Sequence, residues 1–272
     1  MKNEIRMLAA VKGSQMNSFI ITAEDGKVIV IDGGYRSDAD NLLENLRSVT
    51  GKEIPHVDAW FLSHAHCDHI DAFLELIENH ADSFTLGTVY FHFPSVQFIS
   101  RGEPREVHTA EEFYALLPRF AEKICLVSAG DRYCVGEAVF DILYTADPAF
   151  TMNTINNSST VFRLTLGTKT VLFLGDLGAE AGRELLSQYG DGLKSDYVQM
   201  AHHGQNGVEQ SVYRAISPTG CLWNTPQWLW DNDVGKGFNT HVFNTVYTRG
   251  WMEEMGVREH YVIKDGDQTL VL

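Results

Sequence analysis

Strands followed by helices, twice over, predict an α/β fold of two β-rich layers with helices outside, in a single domain spanning residues 1–272. Three observations carry that expectation. Short β-type runs fill the first 31 residues, with a hairpin turn at Glu24-Asp25-Gly26-Lys27. The apolar run Ala59-Trp60-Phe61-Leu62 hands over, through a polar loop, to 70–77, where apolar side chains recur at helical spacing. A second β-rich section, 138–174, leads into a helix at 179–189.

In chain order, strands are expected at 5–10, 18–22 and 28–31, the last ending in Asp32-Gly33-Gly34, where glycines let the backbone turn closely. A helix at 40–49 precedes the strand that enters the polar loop, and the helix after it runs to about 79. A strand is expected at 89–93. Thr109-Ala110-Glu111-Glu112 reads as a capping box opening a helix that lasts to about 123. Strands at 138–144, 160–166 and 170–174 follow, the last two a hairpin around Gly167. A strand then delivers His202-His203-Gly204 to a loop, followed by a helix at 210–216 and a strand at 221–224. Beyond an aromatic, Gly-bearing loop come a helix from about 240 to 255 and closing strands at 259–264 and 269–272.

The loop after Leu62 holds the densest chemistry. His64, His66, Asp68 and His69 place four potential metal ligands within six residues, between a buried strand and a helix. Alternation along an extended segment points His64, His66 and Asp68 to one side, and His69 in the first helical turn comes round beside Asp68. Two neighbouring cation sites result, one using His64 and His66, the other Asp68 and His69. Imidazole nitrogen with carboxylate oxygen suits zinc first, with iron or manganese as further options. Asp176 ends the apolar strand 171–174 between glycines, a placement suited to a carboxylate bridging two cations. One of His202 and His203 completes the second site, and the other contacts substrate or donates a proton.

With 21 Lys plus Arg against 36 Asp plus Glu, the net charge of −15 opposes an extended nucleic-acid surface, because no basic run can displace counterions from a phosphate backbone. A locally positive metal cleft still admits a small anionic substrate. No stretch reaches the length of a membrane span, and the N-terminus lacks an apolar signal core. The four cysteines are scattered and form no C-x-x-C, which fits free thiols in a reducing cytoplasm. Trp228 and Trp230 lie in a loop with Pro226, Asp231 and Asn232, and are read as a substrate wall, stacking on a base or facing a quaternary ammonium group.

The order His64-x-His66-x-Asp68-His69 resembles the signature of the metallo-β-lactamase fold hydrolases, and the resemblance extends from Asp32 to Asp176 and His202-His203. It implies a four-layer αββα sandwich. Asp32 then lies under the metal centre and accepts a hydrogen bond from a ligand's free imidazole N–H; otherwise it is an ordinary turn aspartate. The lactamase and thioesterase branches carry a further ligand His before the bridging Asp, whereas none of the eleven histidines here lies between His108 and His202. That region offers Asn156-Asn157-Ser158-Ser159 instead. In this the chain is similar to the branch that includes the hydrolase domain of competence DNA-uptake channels and the bacterial phosphorylcholine esterases, with Asn156 and Ser158 near substrate and His241 as the late histidine. The carry-over assigns His64, His66 and Asp176 to one cation, and Asp68, His69, Asp176 and His203 to the other. It implies a binuclear hydrolase that cleaves a phosphoester with a metal-bound hydroxide, helped by Asp68 and by His202 or His241. A lactam, thioester or lactone hydrolase, or a nuclease for short nucleic acid, is the alternative.

Overall fold

The computed structural model describes residues 1–272. The first half runs β1 (Glu4–Met7), β2 (Ser18–Thr22), β3 (Val28–Asp32), α1 (Ala39–Thr50), β4 (His56–Phe61), α2 (Cys67–Asn79), β5 (Thr85–Phe91), α3 (Val96–Gly102), α4 (His108–Leu116) and β6 (Ile124–Leu126). The second half has β7 (Arg132–Val135), β8 (Ala138–Tyr144), β9 (Val161–Leu166), β10 (Lys169–Phe173), α5 (Ala179–Tyr189), β11 (Tyr197–Gln199) and α6 (Gln210–Ile216). It closes with β12 (Gly220–Trp223), α7 (Gln227–Trp230), α8 (Thr245–Glu254), β13 (Glu259–Val262) and β14 (Gln268–Val271).

Two seven-stranded sheets result, ordered β14-β1-β2-β3-β4-β5-β6 and β13-β12-β11-β10-β9-β8-β7. Each is antiparallel at one end and parallel at the other: β3 through β6 run parallel, as do β10 through β13. Helices cover the outer faces, so the expected αββα sandwich is what the chain forms. Alternation explains why the strands read as continuous apolar runs. Ala59 and Phe61 of β4 face the opposite sheet, while Trp60 and Leu62 face α1 and α2. Between the sheets Phe61 stacks on Phe140 with ring centroids 4.1 Å apart, and Phe19 meets Phe173 edge-on at 5.2 Å. Each such side chain withdrawn from water contributes about 1.5–3 kcal/mol.

Several elements differ from the expectation. Pro118 lacks an N–H, so the helix expected to reach 123 stops at Leu116, and the chain goes through short 3-10 turns into β6. The capping box is not formed: Val107 is the N-cap, and Thr109 sits inside α4 with its hydroxyl 3.4 Å from Asp71 Oδ1. α3 and β7 were not expected. Residues 240–244 are loop rather than helix, held there by Asn232 as described below. No helix is long and apolar enough to cross a membrane.

The C-terminal ends of β3, β4, β10, β11 and β12 meet at one edge of the sandwich. The candidate ligands follow the ends of β4, β10 and β11, where an open sheet arranges its crevice, and Asp32 ends β3 beneath them.

Candidate metal centre

Asp32, the last residue of β3, is fully buried and adopts a left-handed conformation with φ +54°. Its carboxylate is the floor of the site. Oδ1 accepts the Ser63 backbone N–H at 2.7 Å; Oδ2 accepts Asn17 Nδ2 at 2.7 Å and Ser63 Oγ at 2.7 Å, and lies 2.7 Å from His69 Nδ1. The second of the following glycines, Gly34 at φ +91°, has no room for a Cβ, which would strike Met16 Sδ.

α2 begins at Cys67, one turn earlier than alternation suggested, so Asp68 and His69 lie in its first turn and His66 is its N-cap. That helical start, rather than an extended segment, turns Asp68 and His69 inward; both are buried, while Cys67 is exposed. On the other sheet, Gly175 at φ +55° leads to Asp176. A Cβ on Gly175 would lie 2.8 Å from Ser159 Oγ, the group that accepts the Asp176 N–H at 2.9 Å. After β11, His202 and His203 both take left-handed backbones, φ +52° and +56°. Strained non-glycine residues of this kind cost about 1–3 kcal/mol each and persist where surrounding structure imposes them. Here the imposition includes the 2.6 Å hydrogen bond from Thr225 Oγ1 to the His203 carbonyl.

Two groups of ligand atoms converge to within 4.8 Å: His64, His69 and Asp176 in one, and Asp68, His69 and His203 in the other. Asp176 lies between them. Its Oδ1 is 3.2 Å from His69 Nε2, its Oδ2 is 3.3 Å from His203 Nε2, and His64 Nε2 is 3.9 Å away. His203 Nε2 is also 3.2 Å from Asp68 Oδ2. His66 belongs to neither group as its ring stands, but its Nδ1 lies 3.1 Å from His64 Nε2. Two ligands bound at 2.0–2.1 Å to one tetrahedral zinc stand about 3.3 Å apart, the spacing that recurs through these pairs. His69 Nε2, Asp176 Oδ1 and both ring nitrogens of His203 are buried without a directed hydrogen bond. Orphaned polar atoms are rare in a folded interior, and a set of nitrogen and oxygen donors aimed at common points is what a cation satisfies.

The electrostatics fit such a set. Burial and the neighbouring His69 push the His64 imidazole well below its usual pKa, keeping it neutral, the form that ligates. Burial opposes charge on His69 and His203 too, but Asp176 with Asp32 outweighs it at His69, and Asp176 with Asp68 at His203, which is held up to about 9. Burial likewise works against ionised Asp68 and Asp176, yet the His203 and His69 rings keep both carboxyls well below the ordinary range. Protons on two histidines thus occupy the electrostatic place that cations would take.

His202 lies at the rim, its side chain 22% exposed, with Nε2 3.8 Å from Asp176 Oδ2 and Nδ1 facing the Asn206 carbonyl at 3.4 Å. His241 is not brought into either ligand group. Asn232 is the reason: its buried amide donates to Asn239 Oδ1 and to the His241 and Phe243 carbonyls at 2.8–2.9 Å, fixing a loop in which the His241 ring packs edge-on against Phe243. Ser158 Oγ is turned to the Thr154 carbonyl and Asn156 Nδ2 to Asn153 Oδ1, so both side chains stabilise their own turn. The next residue, Ser159, is the one that reaches His64 Nδ1, at 3.3 Å. Trp230 does not line the cavity that Trp228 borders. It packs edge-on against Trp223 at 5.2 Å and lies under the Arg249 guanidinium at 4.1 Å. Trp228 does border a cavity.

Sequence reading missed Ser63 and Ser159 and left Asn17 unassigned. Ser63 had a signal: continuing the alternation of β4 past Leu62 turns it inward, directly before His64. Asn17 has a physical logic visible only in place. An aspartate there would face the Asp32 carboxylate, whereas the amide donates to it.

Residues 11–119 match the model of the metallo-beta-lactamase superfamily. No curated protein matches the chain in sequence. Among solved structures, the metallo-beta-lactamase fold protein YhfI from Bacillus subtilis is similar at 14% identity and TM-score 0.58, over 98% of this chain and 99% of that one. Zn(2+)-bound PqqB from Methylobacterium extorquens gives 11% identity and TM-score 0.57 over 99% and 100% of the two chains. CmlA, a diiron beta-hydroxylase from Streptomyces venezuelae, gives 13% and 0.57 over all of this chain but 54% of its own. With His64 to His69 inside the segment 11–119 that matches the metallo-beta-lactamase superfamily model, and both sheets ordered as above, the whole chain adopts the metallo-beta-lactamase fold.

Proposed function

We propose that the chain is a metal-dependent hydrolase of phosphoesters, acting on a small anionic phosphodiester or phosphomonoester at a two-cation centre. The place of Asp176 carries the reading: one carboxylate faces His69 at 3.2 Å and His203 at 3.3 Å, proposed ligands of one cation, and lies 3.9 Å from His64, a proposed ligand of the other. His64, His66 and Asp176 would hold one cation, and Asp68, His69, Asp176 and His203 the other. The donors suit zinc first, then manganese or iron. Bound there, a cation pair lowers the pKa of water and neutralises charge that builds on phosphoryl oxygens.

The chain's own residues do the rest. Asp32, braced by Asn17 and Ser63, fixes the ring of His69, and Ser159 ties the Asp176 backbone to His64. His202, at the rim and 3.8 Å from Asp176, is placed to pass a proton to the departing alcohol. The phosphoester preference rests on the absence of any histidine between His108 and His202 that could add a third imidazole to His64 and His66. With fewer protein ligands, the first cation would have more room for a non-bridging phosphoryl oxygen.

The test is a panel of bis-p-nitrophenyl phosphate, p-nitrophenyl phosphate, nitrocefin and a thioester, assayed with zinc and with manganese. Turnover of the phosphoesters that disappears in Asp68→Ala is expected. Turnover confined to nitrocefin or the thioester would replace the reading with a carbon-centred hydrolase, and phosphoesterase activity surviving Asp68→Ala would refute the assigned site.

A further inference from the structure

A cavity of about 470 Å³ is walled by three of the segments that carry the candidate metal centre. Lys12 and Ser14 come from the loop after β1, Tyr35, Arg36 and Ser37 from the turn after β3, and Asp71 from α2, three residues beyond Asp68. A chain of side chains joins the cavity to the centre. The Tyr35 hydroxyl lies 3.5 Å from Ser14 Oγ, Ser14 Oγ donates to Gln15 Oε1 at 3.3 Å, and Gln15 Nε2 donates to Asp68 Oδ2 at 3.5 Å. The walls are pinned to the ligand-bearing turn. Gly34 donates its N–H to the His69 carbonyl at 3.0 Å and accepts that of Ala72 at 2.9 Å, and Asn17 donates its N–H to the Asp68 carbonyl at 3.0 Å. Walls fixed in this way are ordered before a ligand arrives, which lowers the cost of binding it.

The lining selects for hydrogen bonding rather than for charge or apolar area. Tyr35 supplies its one ring; the other five side chains are polar. The Arg36 guanidinium is enclosed by Glu75, Glu78 and Glu112, so its charge is already met. Lys12 and Asp71 leave one charge of each sign, a balance from which neither a simple anion nor a simple cation gains much. Hydroxyl groups both donate and accept, and they suit such a set. The half-buried Asp71 carboxylate meets only Thr109 Oγ1, at 3.4 Å, so most of its acceptor capacity is unspent. Burial and the Asp68 carboxylate hold the Tyr35 phenol above its ordinary pKa, so it stays a donor. Two hydroxyls on neighbouring carbons can donate to the two oxygens of one carboxylate and still accept from a phenol and an ammonium.

We propose that this cavity is a substrate subsite for an ester group bearing a vicinal diol, with Asp71 accepting from the two hydroxyls and Tyr35 and Lys12 donating to them. Its place in catalysis rests on the phosphoesterase reading; its ligand chemistry does not.

The experiment has two arms. In the first, the zinc-loaded full chain is assayed with 2,3-dihydroxypropyl p-nitrophenyl phosphate and with propyl p-nitrophenyl phosphate. A kcat/KM at least about tenfold higher for the diol ester is expected, because a site built to bond hydroxyls rejects the analogue lacking them. That ratio should fall toward unity in the near-isosteric variants Asp71→Asn and Tyr35→Phe. In the second arm, binding of methyl β-D-ribofuranoside is measured by saturation-transfer NMR on the full chain with and without zinc. Saturable binding in both states, weakened at least about fivefold in either variant, is expected. Binding with no hydrolysis of either ester would overturn the phosphoesterase reading and keep the subsite. Equal hydrolysis of the two esters, or no saturable binding of the ribofuranoside, would overturn the subsite. Circular dichroism of both variants separates lost recognition from lost folding.

Discussion

Asp32 and His69 come from different strand ends, 37 positions apart in sequence, and meet with Oδ2 2.7 Å from Nδ1, both fully buried. The contact fixes which nitrogen of His69 is free: Nδ1 is committed to Asp32, so Nε2 faces Asp176. Replacing Asp32 by Ala leaves the His69 and Ser63 donors without acceptors. We expect zinc affinity to fall by about 10–100-fold and unfolding free energy to fall by about 3–5 kcal/mol. Zinc titration and urea denaturation check the two. Unchanged zinc affinity in a folded variant would remove Asp32 from the support of the centre.

Asp176 and Asp68 separate the two cation positions. Asp176 faces both ligand groups, so Asp176→Ala should drop bound zinc from two per chain toward none. Asp68 belongs to one group, so Asp68→Ala should leave about one, with hydrolysis reduced by at least about 100-fold. Elemental analysis after reconstitution reads the stoichiometry. Two zinc ions retained in Asp176→Ala would contradict the bridging role.

The protons of the metal-free site set a pH dependence. Burial lowers and the Asp176 and Asp68 carboxylates raise the affinity of His203 for its proton, which is held up to about 9 against an ordinary 6.5. A raised folded-state pKa means this proton stabilises the metal-free fold fully below about 6.5 and that the contribution is lost as pH rises through about 9. A ligating imidazole must be neutral, so zinc displaces the proton. Zinc affinity should therefore climb between pH 6.5 and 9 with proton release. Calorimetry at pH 7 in buffers of different ionisation enthalpy should find at least one proton released per chain, and none released would count against the assignment of His203.

Asn232 holds the 239–243 loop with two amide hydrogens shared among three acceptors at 2.8–2.9 Å and one bond accepted from Phe243 N, from a left-handed backbone at φ +51°. Asn232→Gly keeps that backbone but loses the bonds, which should cost about 2–4 kcal/mol at about 1 kcal/mol each. Asn232→Ala adds the left-handed penalty, about 1–2 kcal/mol more. Urea denaturation orders the two, and limited proteolysis at 233–243 should accelerate in both. Equal stability of the Gly and Ala variants would mean the backbone relaxes and the clamp is not what fixes it.

Much of this molecule is written locally. The two β-rich sections and the helices between them follow from apolar periodicity, and the candidate ligands His64, Asp68 and His69 lie within six residues, so spacing alone brings them into view. Asp176 could be named because it follows an apolar strand between glycines, and the pair His202-His203 because a strand delivers it to Gly204; the choice of His203 came from the family resemblance. What periodicity misread was governed by single residues acting at a distance. The helix expected from about 240 begins at Thr245 because Asn232 binds the loop before it, and only the packing shows Trp230 between Arg249 and Trp223.

The sequence by itself determined the donors: nitrogen and oxygen ligands at strand ends, on an acidic chain with no basic strip. Only the tertiary structure decided which donors converge. The strand ends of two separate sheets must be packed face to face before Asp176 can stand between His69 and His203, and no local spacing encodes that distance. The same packing decides the support, because Asp32, Ser63, Asn17 and Ser159 acquire their roles from partners supplied by other strands and loops.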